Sequence, residues 1–271
     1  MSEERLKIGV FDSGFGGLTV LRALLRRLPE LDFLYLGDTA RLPYGSKSQS
    51  TIARYALSST RFLIEQGAEF LVIACNTASA LALDEIRAST TLPVLGVIDT
   101  GVNEAQSGTR TRDILVIGTD ATIGSHAYAR ASRERGLRAM EKACPLLVPL
   151  VEEGWTDHPV AAEVVRIYLS ELLAQAAAAG LKPDTLVLGC THYPLLRGAI
   201  EAAVPPGMRV IDSAEATADR VARTLEPRPE SAAGPGGRRF FATDSVEKFQ
   251  SLGTRFLGSS IRNIELVDLG G

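Results

Sequence analysis

Short apolar runs alternate with longer amphipathic stretches along the whole of this chain. The runs lie at residues 7–11, 33–37, 70–74, 94–98, 114–118, 146–151, 185–189, 209–212, 239–242 and 264–269. They lack the apolar/polar alternation of strands that face water on one side, so we predict strands buried on both faces of parallel sheets. The amphipathic stretches between them are expected to be the covering helices. The pattern therefore predicts a doubly wound α/β fold.

The clearest helical spacing lies at residues 18–28, 51–66 and 160–179. The third stretch follows the sequence TDHP, in which Asp157 is a candidate N-cap and Pro159 fits the first turn of a helix. We predict a helix in each stretch, and we expect the third to begin close to Pro159.

Many of the predicted strands end in polar residues. These exits include Asp12, Asp38, Cys75, Asp99, Thr119, Glu152, Cys190, Asp212 and Thr243. In open parallel sheets, ligands bind in the crevice beyond the carboxyl ends of the strands. Helix capping is a sufficient explanation for most of these residues. It does not account for cysteine at two of the exits, because cysteine is a poor cap.

Composition narrows the choice of function. The chain has 271 residues, 45% of them hydrophobic, which is enough for a large core and for two domains. Its net charge of −3 gives no reason to expect nucleic acid or a membrane surface as a partner. No apolar run is long enough to span a bilayer, and the N-terminal sequence MSEERLKIGVF lacks the apolar core of a signal peptide. We therefore expect a cytoplasmic protein.

The three cysteines are then expected to be reduced, and to be structural, metal-binding or catalytic. Cys144, in KACPLLVP, is typical of an inert core thiol. Cys75 and Cys190 are each the first polar residue after a predicted strand. Backbone N–H groups of the next helix are expected to lower the pKa of such a thiol towards neutrality. We therefore predict a function for these two cysteines.

Three functions fit a facing pair of thiols. Together with His192 they would supply three metal ligands, but the sequence has no closely spaced pair such as C-x-x-C. Nucleophilic catalysis needs one cysteine and a base, and it leaves the second cysteine idle. Racemisation uses both, because one group removes a proton from one face of a stereocentre and the other returns a proton to the opposite face. Proton transfer at a single carbon explains the duplication best.

The residues near the cysteines fit an amino acid as the substrate. Asn76, Thr77 and Thr191 offer hydrogen-bond donors to a carboxylate, as do N–H groups at the helix starts. In the loop RLPYGSKS, Tyr44 and Gly45 are candidates for the pocket lining, with a surface turn as the alternative for Tyr44.

The first predicted strand ends at Asp12 and Ser13, which lead into the glycine run GFGG. This run has neither the G-x-G-x-x-G spacing nor a Walker lysine, so nucleotide binding is poorly supported. We expect it to form a tight turn with a close approach of the backbone to a ligand.

Acidic and basic partners for the thiols are also present. His192 lies two residues after Cys190, and a nearby imidazolium favours a thiolate. Asp12 and one of Glu152 or Glu153 are the acidic counterparts, which would hold the substrate ammonium or relay a proton.

Some features carry no predicted chemistry. His126 and His158 lack such neighbours, and we interpret both as incidental. Residues 227–239, PRPESAAGPGGRR, are rich in Pro, Gly and Ala, so we predict an exposed connection there.

The motifs GVFDSGFGGLTV, GDTARLPYGSKS, VIACNTAS, PLVEEGW and LVLGCTHYPLL resemble those of the glutamate racemases, in the same order and at similar separations. The resemblance covers residues 8–218. Within the wider family of cofactor-independent amino-acid racemases, it is to the glutamate rather than the aspartate members. It implies interconversion of L- and D-glutamate without pyridoxal phosphate or metal, which supplies D-glutamate for peptidoglycan.

The resemblance also implies an architecture of two α/β domains, with the active site in the cleft between them and one cysteine from each. We expect a discontinuous first domain of residues 1–98 and 208–271, and a second domain of residues 99–207. Because symmetric dimers are common among such enzymes, we also expect a homodimer.

Matching the motifs makes Cys75 and Cys190 the two acid/base residues. Asp12, Glu152 and His192 are then the assisting residues, and Glu152 is preferred to Glu153 because it directly follows PLV. The substrate contacts implied by the same match are Asp12, Ser13, Tyr44, Gly45, Asn76, Thr77, Thr191 and His192.

Two other classes of protein fit parts of this pattern. One is another cofactor-independent enzyme of the same fold, such as an aspartate or hydantoin racemase or a decarboxylase. The other is a non-catalytic receptor with two α/β lobes around a ligand. The paired thiols argue against the receptor, and the fold alone does not separate the enzymes.

Overall fold

The strands follow the apolar runs of the sequence closely. The computed structural model describes residues 5–226 and 234–270. Within these ranges the strands are β1 (Lys7–Asp12), β2 (Asp32–Gly37), β3 (Phe70–Ile73), β4 (Val94–Gly96), β5 (Asp113–Gly118), β6 (Arg138–Ala143), β7 (Thr185–Gly189), β8 (Arg209–Asp212), β9 (Arg238–Ala242) and β10 (Ile264–Leu266).

These strands form two parallel sheets. The first has the order β10-β9-β2-β1-β3-β4, and the second has the order β6-β5-β7-β8. Every pairing between the described strands is parallel. The inner strands are buried on both faces, as Ile8 and Val10 of β1 and Leu186 and Val187 of β7 illustrate. The predicted α/β class, with parallel sheets covered on both faces, is confirmed.

Helices occupy the stretches between the strands. They are α1 (Leu18–Arg27), α2 (Gln49–Glu65), α3 (Asn76–Leu81), α4 (Leu83–Ala88), α5 (Val97–Gly108), α6 (Asp120–Gly124), α7 (Ala127–Glu134), α8 (Leu147–Glu152), α9 (Pro159–Ala178), α10 (Arg197–Ala203), α11 (Ala214–Thr224) and α12 (Val246–Leu257). The three helices predicted from spacing are confirmed as α1, α2 and α9.

Helix α9 begins at Pro159, as predicted, but its cap differs from the prediction. Nδ1 of His158 accepts a hydrogen bond of 3.1 Å from the backbone N–H of Val160, so His158 is the N-cap. The assignment of this cap to Asp157 was wrong by one residue. His158 is therefore a structural residue of α9 rather than an incidental one.

The apolar run at residues 146–151 was wrongly predicted as a strand, since it forms α8. Its buried residues, Leu147 and Val151, are four positions apart and share one face of the helix. Pro149 is tolerated because it lies in the first turn, where its missing N–H costs no helical hydrogen bond. The strand of this region is β6, whose sequence RAMEKA is only partly buried at the sheet edge and so shows no apolar run.

The C-terminal part of the chain returns to the first sheet, where β9 pairs with β2 and β10 pairs with β9. Strand β8 instead pairs with β7 in the second sheet. The predicted return to the first domain at residue 208 is therefore too early, because it would assign β8 to the wrong sheet. A boundary after Asp212 keeps both sheets whole. The division into two domains otherwise stays a prediction.

Two further regions bear on the sequence analysis. No helix in the described part of the chain is long and apolar enough to cross a membrane. Of the connection predicted at 227–239, residues 227–233 lie outside the described ranges, and its last two residues, Arg238 and Arg239, already belong to β9.

The carboxyl ends of the two sheets face each other. A Cβ added at Gly16, after β1, would lie 2.1 Å from Oγ1 of Thr191, after β7. Oγ1 of Thr77, after β3, lies 3.1 Å from Oγ1 of Thr119, after β5. The loops at the ends of the inner strands thus meet across a cleft, where parallel sheets place their ligand sites.

Candidate active site

A cavity of about 290 Å³ lies in this cleft and has walls from both sheets. Its size suits a small amino acid rather than a large cofactor. Ten of the residues singled out in the sequence as site residues line it: Ser13, Tyr44, Gly45, Cys75, Asn76, Thr77, Glu152, Cys190, Thr191 and His192. The remaining one, Asp12, is buried beside this lining rather than in it.

Cys75 lies between β3 and α3, and it caps that helix. Its Sγ accepts a hydrogen bond from the N–H of Ala78 at 3.4 Å and donates to Oγ of Ser13 at 3.4 Å. The side chain is buried, with 4% of its surface exposed. Cysteine does act as a cap here, contrary to the expectation from residue preferences. Capping fixes the thiol at the cavity wall.

The pKa of Cys75 was predicted to fall towards neutrality, and that prediction is wrong. Burial raises the pKa of the thiol to about 12, and the negative charge of Asp12 adds to the effect. Hydrogen bonds from Ser13 and Ala78 lower the pKa by less. Desolvation outweighs the donors at the start of α3 because the thiolate would lie almost out of contact with water. Cys75 is therefore a protonated thiol at neutral pH.

Asp12 interacts electrostatically both with Cys75 and with His192, which is the neighbour of Cys190. Its Oδ2 accepts a hydrogen bond of 2.9 Å from the N–H of Gly14, whereas its buried Oδ1 has no hydrogen-bond partner among the described residues. Burial raises the pKa of Asp12, and the opposing effect of His192 is smaller. The carboxyl group thus lies within electrostatic range of both Cys75 and His192.

Cys190 has a different set of neighbours. Its Sγ lies 3.9 Å from Nδ1 of His192, and Nε2 of His192 lies 3.2 Å from Oε1 of Glu152. The other oxygen of Glu152, Oε2, accepts a hydrogen bond of 3.3 Å from Nζ of Lys248. The ring of Phe256 packs against the imidazole edge-on, at 5.1 Å between centroids. A chain of polar contacts thus runs from the protein surface to the second thiol.

The imidazole of His192 is held in its charged form. Burial disfavours the imidazolium, but hydrogen bonds to Cys190 and Glu152 outweigh burial and raise the pKa of His192 to about 10. Burial likewise opposes the ionisation of Glu152, but the hydrogen bond and charge of His192 keep the pKa of this carboxyl below its usual value. His192 and Glu152 are therefore an ion pair at neutral pH.

Glu152 and Glu153 were both candidates for the assisting acid. Both line the cavity, but Glu152 is the one that contacts His192. Glu153 ends helix α8, where its backbone N–H bonds to the carbonyl of Pro149. This geometry favours the choice of Glu152.

Tyr44 and Gly45 line the cavity from the loop after β2, so the surface-turn alternative for Tyr44 is wrong. The side chain of Tyr44 is 1% exposed, and its hydroxyl donates a hydrogen bond of 2.5 Å to Oδ2 of Asp38. Asp38 also accepts a hydrogen bond from Oγ1 of Thr243. A Cβ at Gly45 would lie 2.8 Å from Cβ of Thr119. Gly45 therefore permits a close contact between the two walls.

The amide and hydroxyl groups predicted to bind substrate are fixed by neighbours from the second sheet. Oδ1 of Asn76 accepts a hydrogen bond of 2.7 Å from the hydroxyl of Tyr128. Oγ1 of Thr77 lies 3.1 Å from the hydroxyl oxygens of both Thr119 and Thr122. With Oδ1 occupied, the amide NH₂ of Asn76 is the group left to donate to a ligand.

Several residues that line the cavity were not predicted from the sequence. The additional lining residues are Leu42, Pro43, Ser46, Thr119, Asp120, Pro145, Val148 and Pro149. Thr119 belongs to a polar strand exit and could have been found from that signal. The prolines and aliphatic residues carry no chemical signal in the sequence, and only the approach of the two sheets reveals their position.

The residues predicted to be inert lie elsewhere. Cys144 is fully buried, its Sγ donates to the carbonyl of Lys142 at 3.7 Å, and burial raises the pKa of its thiol to about 12. His126 lies at the surface, paired with Glu141. In residues 5–226 and 234–270, no group of three or more His, Cys, Asp and Glu side chains is arranged to hold a metal ion.

Comparisons with known proteins agree with the geometry. The model of the Asp/Glu/hydantoin racemase family matches residues 8–221. The chain is 51% identical to a glutamate racemase of Koribacter versatilis, over 100% of both chains. The crystal structure of the Thermus thermophilus glutamate racemase in complex with β-chloro-D-alanine superposes with a TM-score of 0.85 at 44% identity, covering 98% of each chain. The Francisella tularensis glutamate racemase in complex with D-glutamate gives 0.89 at 34% identity, also over 98% of each. The chain therefore belongs to the Asp/Glu/hydantoin racemase family, and within it to the glutamate racemases.

Proposed function

We propose that this enzyme interconverts L- and D-glutamate by direct proton transfer at the α-carbon, with Cys75 and Cys190 as the two acid/base residues. One observation carries the proposal: both thiols line a single cavity, Cys75 from the end of the first sheet and Cys190 from the end of the second. A substrate bound between them would present one face of its α-carbon to each thiol. One thiolate removes the α-proton, and the opposite thiol delivers another proton to the other face.

On the first face, Cys75 is the proton donor in the resting enzyme. Its raised pKa keeps the thiol protonated, and its hydrogen bond to Ser13 orients it. For the reverse reaction Cys75 has to become a base, and the substrate ammonium would then offset the charge of Asp12. We assign Asp12 this assisting role because it is the acidic group whose charge acts on Cys75.

On the second face, His192 and Glu152 support Cys190. The imidazolium can donate a hydrogen bond to a thiolate at Cys190, and Glu152 holds the ring in place. The α-proton of an amino acid is far less acidic than a thiol, so its abstraction is the demanding step. Preorganised charges beside these buried thiols lower that barrier more than the same groups would in water.

The substrate would be held by polar groups on both walls. The residues assigned to this task are Ser13, Tyr44, Gly45, Asn76, Thr77, Thr191 and His192. Helices α3 and α6 begin at the carboxyl ends of β3 and β5, and N–H groups at helix starts would suit a carboxylate. The D-glutamate complex of the Francisella tularensis relative supports glutamate as the substrate.

We further propose that the reaction needs neither pyridoxal phosphate nor metal, since the two thiols suffice for both proton transfers. Activity should survive dialysis against EDTA without added cofactor. Supply of D-glutamate for peptidoglycan, a cytoplasmic location and a homodimeric state stay predictions.

The test is racemisation in D₂O, started separately from L- and D-glutamate. Two opposed thiols predict that product formed early carries deuterium at the α-carbon, while the remaining substrate keeps its hydrogen. Product that retained the original proton would contradict the two-thiol mechanism. Glutamate binding without turnover would favour the non-catalytic receptor instead.

A further inference from the structure

Helix α12 brings a lysine from the first-sheet side of the cleft to the acid that supports Cys190. Nζ of Lys248 lies 3.3 Å from Oε2 of Glu152, and Oε1 of the same carboxylate lies 3.2 Å from Nε2 of His192. Each carboxylate oxygen of Glu152 thus contacts one cationic side chain. The glutamate side chain is 18% exposed and the lysine side chain 51%, so the lysine is the outermost member of the chain of contacts.

Other residues of α12 pack against the same place. The ring of Phe256 meets the imidazole of His192 edge-on. A Cβ at Gly154, just after α8, would lie 2.2 Å from Nη1 of Arg255, so this guanidinium lies against the backbone at the end of α8. Lys248 and Arg255 are seven residues apart and therefore share one face of α12. The contact between Lys248 and Glu152 is part of a packed face rather than an isolated surface pair.

A second contact fixes the lysine itself. Its Nζ lies 5.7 Å from the ring centroid of Phe15, in the glycine-rich loop after β1. Strand β9, which precedes α12, belongs to the first sheet, whereas α8 follows β6 of the second sheet. The ion pair therefore joins the two sides of the cleft at its rim.

We propose that Lys248 is a positioning residue for the Cys190 half of the reaction, because it fixes Glu152 in the orientation that holds His192 against Cys190. This role rests on the proposed function. Without the lysine, the carboxylate keeps one charged partner, and its side chain is free to turn towards water. The hydrogen bond to Glu152 that defines the orientation of the His192 ring is then formed for a smaller fraction of the time.

The experiment compares Lys248→Met and Lys248→Arg with the unaltered enzyme. Lys248→Met should lower kcat/KM about fivefold, the effect expected of one ion pair near the surface. Lys248→Arg should restore most of the activity, since its guanidinium can reach the same carboxylate. Lys142→Met is the control, because it removes a lysine from another ion pair, with Glu171 at 2.8 Å, and Lys142 does not line the cavity. All three variants should show the circular dichroism spectrum of the unaltered enzyme.

The pH profile gives a readout that a purely structural role would not move. Lys248 helps to keep the pKa of Glu152 low. In Lys248→Met, the acid limb of kcat/KM should therefore shift to higher pH, while the limb of Lys142→Met stays in place. In that variant His192 is the remaining charged partner of Glu152. Glu153 follows it in the chain, and Arg255 lies against the next residue, Gly154.

A double-mutant cycle decides whether Lys248 acts through Glu152. In a Glu152→Gln background, Lys248→Met should cause almost no further loss, since the carboxylate that it orients is gone. An independent fivefold loss in that background, or an active Lys248→Met with unchanged kcat/KM and pH profile, would overturn the positioning role alone. Failure of the unaltered enzyme to racemise glutamate would overturn the proposed function and this role with it.

Discussion

Nδ1 of His192 lies 3.9 Å from Sγ of Cys190, whereas no imidazole of the described residues is hydrogen-bonded to Cys75. Among the described residues, the hydrogen-bond partners of the first thiol are a serine hydroxyl and a backbone N–H. The two cysteine motifs are near duplicates in sequence, but their surroundings are chemically different. The two proton-transfer steps are therefore supported by different groups.

This asymmetry has a limit set by thermodynamics. The two enantiomers of glutamate have equal free energy in water, so the equilibrium constant is unity and kcat/KM must be the same in both directions for every variant. A substitution at Cys75 or Cys190 can give different kcat values and different KM values for L- and D-glutamate. The value of kcat/KM must stay equal for the two enantiomers. Measurements from both enantiomers thus provide an internal check on every variant below.

Replacement of either cavity thiol should abolish racemisation. Cys75→Ala and Cys190→Ala each remove the acid or base on one face of the substrate, so we expect kcat to fall about a thousandfold or more. Cys144→Ala should keep nearly full activity, because that thiol is buried in the core and does not line the cavity. A chiral assay of glutamate measures all three. Normal racemisation by either cavity variant would mean that the repeated motif has another cause.

The ion pair of His192 should make stability depend on pH above neutrality. The pKa of His192 is about 10 in the folded enzyme, against an ordinary value of 6.5. A group whose pKa is raised by folding contributes stability that is fully present below the ordinary pKa and is lost as pH rises through the folded pKa. The stability advantage of the unaltered enzyme over His192→Asn should therefore shrink between pH 6.5 and about pH 10.

Urea unfolding at several pH values in this window measures the difference. A cost of His192→Asn that does not depend on pH, such as a loss of packing, cancels in the comparison. His126→Asn is the control, since its side chain is 70% exposed and its ion pair should contribute little. A constant difference between the unaltered enzyme and His192→Asn across the window would show that His192 is not charged in the folded protein.

The sequence predicted most of the sheet and most of the cavity wall for one physical reason. Strands buried on both faces must be apolar, and a parallel sheet collects the residues after its strands at one edge. This rule put Cys75 and Cys190 each at the carboxyl end of a strand, whereas a single cleft between two domains was implied only by the resemblance to the glutamate racemases. Strand β6 and helix α8 were missed because a half-exposed edge strand and a short buried helix do not have distinct apolar patterns.

Long-range packing was the part that local sequence could not give. The pKa of Cys75 depends on burial and on Asp12, which lies 63 positions earlier in the chain. The contact of Lys248 with Glu152 joins helices 96 residues apart. Neither effect can be read from the neighbouring residues in the sequence. The sequence therefore predicted a pocket position for Cys75, which lines the cavity, but the wrong direction for the shift of its pKa.

Substrate choice should favour glutamate strongly over aspartate. Aspartate is one methylene shorter, so it cannot bring its α-carbon between the thiols and its second carboxylate to the polar groups of the wall at the same time. A missing methylene alone costs about tenfold or more in kcat/KM. Initial rates with L-aspartate and L-glutamate, under the same conditions, measure the ratio. Comparable rates would place the enzyme functionally with the aspartate racemases.

Alanine should not be tolerated at Gly16 in the glycine run GFGG. The sequence predicted a close approach of this backbone to a ligand. The backbone there closely approaches the opposite wall of the enzyme itself. A Cβ would lie 2.1 Å from Oγ1 of Thr191 and 2.7 Å from Nδ1 of His192. Real Cβ atoms do not come so close, so Gly16→Ala must push both side chains away from their positions. A displacement of about 1 Å in a catalytic group can cost about a hundredfold in rate.

We therefore expect Gly16→Ala to lower kcat/KM at least about tenfold at temperatures well below its unfolding transition. Gly198→Ala is the matched control, because a Cβ there meets no atom within 4 Å and the residue lies inside helix α10. Alanine is favoured over glycine within a helix by about 1 kcal/mol, so this control should keep its activity and unfold at an equal or higher temperature. Full activity in Gly16→Ala would mean that Thr191 and His192 can move without loss. The geometry of the His192–Cys190 pair would then not limit the reaction.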